Sequence, residues 1–344
     1  MKIKKKAKIF LYSFLSILGL LLITIFLIFK SANFQTWITQ LIAKQITKDS
    51  DIVMNIKSVD IGFFNKVILN DVYVQDVNGD TLFNIKELAG TLTDINFDSN
   101  QIYVNTLYLD NVFFQLKSDS SEMNIIPFIN LFISDKTDTT QTKPWIVYSN
   151  NLSIKNSRFK YKTYNSPNID YGMNYWDLDI KNGNLEIENI NFNKDSITFD
   201  IVSLSANEKC GIVLNEFSGN CFLNNKLIKV KNINLKTENT IADVDYYSMK
   251  YKEFPSFLDY NHKVKMEAKV NSAHVNFKDI SYFAPALQHV KFIADFSGYY
   301  KGTVNNFKGK NFDISFGNSS RIKTSFSVNG LPDYEESFIY VKID

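Results

Sequence analysis

The stretch Glu186-Ile187-Glu188-Asn189-Ile190-Asn191-Phe192, "EIENINF", sets apolar residues at gaps of three and then two around an asparagine. Near-copies begin at Ile68 ("ILNDVYV"), Tyr108 ("YLDNVFF"), Ser153 ("SIKNSRF") and Lys229 ("KVKNINL"). Side chains alternate faces along a strand, so a flat strand would put the first apolar residue on the face opposite the other two. One extra residue at the Asn/Asp, as a β-bulge or kink, returns all three to one face, and Asn or Asp tolerates the unusual backbone angles this requires. The arithmetic selects Leu69, Val72 and Val74; Leu109, Val112 and Phe114; Ile187, Ile190 and Phe192; and Val230, Ile233 and Leu235. In the fifth copy Ser157 replaces the middle apolar residue between Ile154 and Phe159.

The first apolar positions, Leu69, Leu109, Ile154, Ile187 and Val230, lie 40, 45, 33 and 43 residues apart, a loose repeat. Ile, Asn, Lys, Phe and Tyr are abundant, so chance matches compete with a structural repeat. A sheet growing by similar two- or three-strand units is an elongated object with an apolar concave face. The rest of the chain agrees. From Ile52 onward "NKVILNDVYVQ", "TLFNIKEL", "TLTDINF", "QIYVNTLYLDNVFFQLK" and "SITFDIVSL" alternate with period two, broken by polar turns such as "DVNGD" and "FDSN". The expectation is a mainly β fold of about 18 strands in one elongated sheet, on the order of 85 Å long at ~4.8 Å per strand. Two interruptions read as short helices: "SEMNIIPFINLFIS", followed by the polar loop "DKTDTTQTK", together near 122–143, and "KDISYFAPALQ".

The N-terminus is organised differently. Lys2, Lys4, Lys5, Lys6 and Lys8 precede an uncharged run from Ile9 to Phe29, 21 residues. As a helix that run is about 31 Å long, the thickness of a bilayer's hydrocarbon core. It is too long for a cleaved signal peptide and has no small-residue cleavage site, so an uncleaved signal anchor is expected. The lysines then stay cytoplasmic and everything from about residue 31 lies outside the cytoplasm. Next, "NFQTWITQLIAKQI" carries Phe34, Trp37, Ile38, Leu41, Ile42 and Ile46 at helical spacing, with Asn33 as N-cap, for an amphipathic helix over 33–47. Such a helix either lies on a membrane surface, plugs the end of an apolar channel, or covers the first strands of a core.

Function classes fall away on composition. A net charge of +2, from 38 basic and 36 acidic residues, gives no global attraction to nucleic acid. His262, His274 and His289 lack metal-ligand spacing, and with 13 glycines no phosphate-binding loop is evident; neither metal nor cofactor is expected. Asp177 and Asp179 share one strand face, as a glycosidase pair could, but such pairs are common on any solvated β surface. No enzyme is expected. Cys210 and Cys221 could meet only if a hairpin formed through "NEFSGN"; otherwise they are two free, core-type thiols.

The anchor, "FQTWITQLIAKQI" and "VDIGFFNKVILNDVYVQDVNGDTLFNIKEL" together resemble the opening of TamB (translocation and assembly module) proteins of the Bacteroidetes type, in the AsmA-like superfamily. "NIIPFINLF", "KPWIVYSNNLSIKNSRFKY", "VNFKDISYFAPAL" and "GTVNNFKGKNFDISFG" follow in the same order, so the resemblance spans nearly the whole chain. It implies an inner-membrane anchor and, over 51–344, a periplasmic β-groove folded as an open, twisted, trough-like sheet that shields phospholipid acyl chains between inner and outer membranes. It also implies, as the alternative, a scaffold for outer-membrane barrel assembly with a partner of the Omp85 class. Members of this family are longer than this chain, so an N-terminal portion is expected.

Overall fold

The computed structural model describes residues 31–62, 65–99, 101–118, 122–131, 146–193, 195–333 and 335–343. Among these, helix α1 (Ala32–Thr47) is followed by one open sheet of 15 strands whose spatial order is the order of the chain. The strands are β1 (Val53–Ile61), β2 (Lys66–Gln75), β3 (Thr81–Asn96), β4 (Gln101–Ser118), β5 (Ile146–Thr163), β6 (Asp177–Asn193), β7 (Ser196–Glu208) and β8 (Val213–Asn224). They continue as β9 (Leu227–Thr237), β10 (Ile241–Lys250), β11 (Lys265–Asn276), β12 (Ile293–Gly302), β13 (Asn306–Phe316), β14 (Ser320–Asn329) and β15 (Phe338–Ile343). No described helix is long and apolar enough to cross a membrane. The lysine cluster and the Ile9–Phe29 run lie outside the described residues.

Fifteen strands replace the expected 18 because strands run on where the sequence suggested breaks. "TLFNIKEL" and "TLTDINF" form one strand, β3, continuous through Ala89-Gly90. Every neighbouring pair is antiparallel except β4 and β5, which are parallel. A parallel pair needs a crossover of a dozen or more residues, and 119–145 supplies it. Within that connection α2 (Ile126–Asn130) is shorter than the apolar stretch suggested. "KDISYFAPALQ" contributes α4 (Phe277–Ser281) and a 3₁₀ turn at Pro285–Leu287, and a further 3₁₀ turn (Phe254–Asp259) leads into α3 (Tyr260–Lys263) between β10 and β11. The first helix begins at Ala32 with Ser31, not Asn33, in the N-cap position.

The recurring phrase has a backbone signature. Asp71, Asn111, Asn156, Asn189 and Asn232, one in each copy, all adopt positive φ between 50° and 56°. At Asn156, Asn189 and Asn232 the pairing with one neighbouring strand takes up one extra residue, the bulge the spacing predicts, whereas at Asp71 and Asn111 it does not. Asn70 stays opposite Ser58 and Glu87, and Val72 opposite Ile56 and Ile85, so pairing passes through Asp71 without slipping. Asp71, Asn111 and Asn156 fall in register and mark one crease across β2 to β5, while Asn189 and Asn232, displaced along the strands, mark another across β6 to β9. The copies fall on β2, β4, β5, β6 and β9, intervals of two, one, one and three strands, so no unit of fixed strand number repeats.

The second crease is tied by polar side chains. Asn232 Nδ2 donates to Asn220 Oδ1 (2.8 Å), Asn220 Nδ2 to Asp200 Oδ1 (2.6 Å), and Asn189 Nδ2 to Asp200 Oδ2 (2.7 Å). This exposed chain crosses β6 to β9. The amide donors of Asn220 and Asn189 hold the Asp200 carboxyl below its ordinary pKa.

Candidate functional site: one apolar sheet face

Residues directly opposite one another on paired strands share a face. Followed from strand to strand, one register row runs Val59, Leu69, Leu88, Leu109, Ile154, Leu185 and Leu204 across β1 to β7. It continues Phe217, Leu235, Ala242, Ala273, Phe296, Ile314 and Ile322 across β8 to β14. Fourteen strands contribute and no polar residue interrupts. Apart from Val59 and Ala273, which are buried, these side chains are half-buried or, at Ile322, exposed. A core sealed by a second layer would leave them buried.

The selected residues divide into two groups. Leu69, Val72, Leu109 and Val112 pack together with Ile56, Val59 and Ile85, which establishes their common face. Val72 and Val74 are buried, and Val74 and Leu82 lie under Ile125, Phe128 and Leu131 of the α2 segment, with Phe114 beside them. That segment is fastened by buried Asp76, which accepts from Asn124 Nδ2 (2.8 Å) and from the Asn78 and Asp80 amides. At this end the face is therefore core. Toward the middle it is open: Ile154, Phe159, Ile187, Ile190, Val230 and Leu235 are half-buried, Phe192 is 50% exposed, and Ile233 alone is buried. Aromatic edges line the open part. Phe114 sits 5.8 Å from Phe159, and Tyr148 stands edge-on to Phe192 at 5.4 Å.

Two further left-handed asparagines within strands, Asn182 on β6 and Asn311 on β13, escaped the phrase. Glycine disguised them. Ile180-x-Asn182-Gly183-x-Leu185 has Gly in the middle apolar slot, and Gly309-x-Asn311-Phe312-x-Ile314 has it in the first. A side chain at Gly183 would strike Ser157, and one at Gly309 the Phe326 ring. The sequence also left unmarked an aromatic group on the same face over β12 to β14: Phe296 stacks on Phe312 at 6.0 Å, and Phe312 lies 5.0 Å from Phe326.

The opposite face carries the charges. Asp179 receives two hydrogen bonds from Arg158 (2.7 and 2.8 Å), which keep its carboxyl below the usual carboxylate range, and Asp177 pairs with Lys209 at 2.8 Å. Both carboxylates are thus held in ion pairs along the sheet. His262 and His274 each face one aspartate, and no group of three metal-ligating side chains exists among the described residues.

Cys210, in the turn after β7, and Cys221, on β8, are free thiols, and burial pushes each up to about 11. Alkylation at pH 8 is therefore expected to be far slower at both than at a free cysteine, since the thiolate is the reactive form. Labelling of the folded chain at the rate of a model thiol would contradict this.

Along the rim formed by the turns after β5, β7 and β9, the segment following β11 acts as a clasp. Buried Asp279 accepts from Thr237 Oγ1 (2.5 Å) and Asn239 Nδ2 (2.9 Å). Tyr282 accepts on its carbonyl from the Met173 amide (2.7 Å), and Ser281 hydrogen-bonds the Tyr171 hydroxyl. Compared with known proteins, the chain matches no family model, and no curated protein or solved structure is found similar to it.

Proposed function

We propose that the apolar face is a shielding surface for phospholipid acyl chains, and that the sheet curls about its creases into a trough from which head groups project into water. The observation that carries this reading is the unbroken apolar row over 14 strands, half-open to solvent, with a charged opposite face. A monomer rarely exposes so long a contiguous apolar surface without something to place on it. Each methylene kept from water is worth about 0.8 kcal/mol, so a whole acyl chain crosses an aqueous gap only if shielded. No covalent step is involved. The resemblance to TamB-type proteins and the Ile9–Phe29 run support an inner-membrane anchor with the sheet in the periplasm.

The test is a photo-crosslinking amino acid at Phe192, with Asn191 as the opposite-face control, in living cells. Phospholipid attached at Phe192 and absent at Asn191 is the expected result, and Phe192→Asp should then block lipid delivery at normal protein levels. Normal outer-membrane lipid supply in that variant would remove the reading. A second reading, supported by the same resemblance, is a scaffold that pairs strands with outer-membrane barrel clients through an Omp85-class partner. Protein adducts at Phe192 without lipid would favour it.

A further inference from the structure

Helix α1 meets the sheet with the wrong face for an ordinary amphipathic helix. Its polar side chains satisfy the outer edge of β1: Gln35 Oε1 accepts from the Ile61 amide (2.8 Å), Thr36 Oγ1 accepts from the Val59 amide (2.9 Å), and Gln40 Nε2 donates to the Ile56 carbonyl (3.1 Å). The helix residues buried there are Gln35 and Ala43. Half of the apolar arc that the sequence would place on a core turns away, with Trp37 55%, Leu41 46% and Ile42 53% exposed, while Phe34, Ile38 and Ile46 are half-buried.

The geometry points to a lipid bilayer as the occupant of this outward apolar face, so that α1 lies in the membrane interface and carries the sheet by its β1 edge. The inference rests on the reading that the chain is membrane-anchored. Two residues, Lys30 and Ser31, separate Phe29, the end of the uncharged run, from Ala32–Thr47, three chain steps with a reach of about 10 Å, so an anchored chain must hold α1 at the interface. Tryptophan beside bulky aliphatics is the composition that settles there, and Lys44 and Lys48, both exposed, suit a head-group boundary. A soluble partner would need a matching groove; the bilayer needs none.

Orientation follows. Gln35 reaches Ile61 while Gln40 reaches Ile56, so the helix runs antiparallel alongside β1. A helix lying in the membrane plane puts β1 in that plane too, and later strands stack away from the surface. Fourteen steps of ~4.8 Å carry β15 on the order of 65 Å from β1. The apolar row then leads away from the membrane rather than lying along it.

The test uses the full chain with Trp145 and Trp176 replaced by Phe, leaving Trp37 as the single tryptophan, in phosphatidylcholine–phosphatidylglycerol vesicles. Lipids brominated near the head group should quench Trp37, and Leu41→Glu should abolish the quenching without changing thermal unfolding, because Leu41 is an exposed residue that belongs to none of the buried apolar clusters. Spin labels at Lys86, Lys231 and Lys323 (β3, β9 and β14) should relax progressively less with gadolinium lipids in that order. A chain that floats with vesicles yet leaves Trp37 unquenched overturns the docking while sparing the anchor. A chain that does not float overturns both. Destabilisation by Leu41→Glu, or equal relaxation at the three labels, overturns the inference with the groove reading intact, since the Phe192 adduct is scored separately.

Discussion

Leu82→Ala is expected to destabilise the fold by about 2–5 kcal/mol, the range for truncating a fully buried leucine, and Phe192→Ala by less than about 1 kcal/mol, although phenylalanine is the larger side chain. The two lie on the same sheet. Leu82 is 0% exposed, sealed between Ile52, Val74 and the α2 segment, so its removal leaves a cavity. Phe192 is 50% exposed and meets Tyr148 along one edge, so truncation opens no cavity. Urea unfolding of both variants, read by circular dichroism, separates covered core from open surface. A cost of 3 kcal/mol or more for Phe192→Ala would mean that the middle of the face is a closed core, and the shielding function would lose its surface.

At Asn232, the usual strand ranking should invert. Valine ordinarily outranks glycine in a strand. Here φ is 51°, a region that glycine enters freely and a β-branched residue hardly at all. Both substitutions lose the bond to Asn220, so their difference isolates the backbone. Asn232→Val should be less stable than Asn232→Gly by about 1–2 kcal/mol. The same order is expected at Asn111 and Asn156, which share the conformation. Valine equalling or surpassing glycine would show that the chain relaxes to extended geometry at no cost and that the crease is not fixed by its asparagines.

The legible part of this architecture was periodic. Alternation with period two reports a strand with one apolar face, because successive side chains must point opposite ways. The gaps of three and two around Asn reported the creases for a related reason: only a backbone excursion reconciles them with a single face. Where glycine took an apolar slot, at Gly183 and Gly309, the same excursion was invisible, since glycine carries no face preference. Strand number was overcounted at β3 because a polar residue or a glycine ends a strand in some contexts and is paired through in others. Parallel pairing of β4 with β5 was invisible locally, for it is set by where a 27-residue connection (119–145) lets the chain return.

By itself the sequence determined that strands would form, that one face of them would be apolar, and that helix α1 would carry an apolar and a polar arc. The tertiary structure decided which arc met the protein. An apolar stripe specifies only removal from water, whether into a core or elsewhere, whereas the unpaired amides and carbonyls of β1 demand hydrogen-bonding partners at fixed positions. Gln35, Thr36 and Gln40 supply them. The directional requirement therefore took the polar arc for the sheet and left Trp37, Leu41 and Ile42 facing outward.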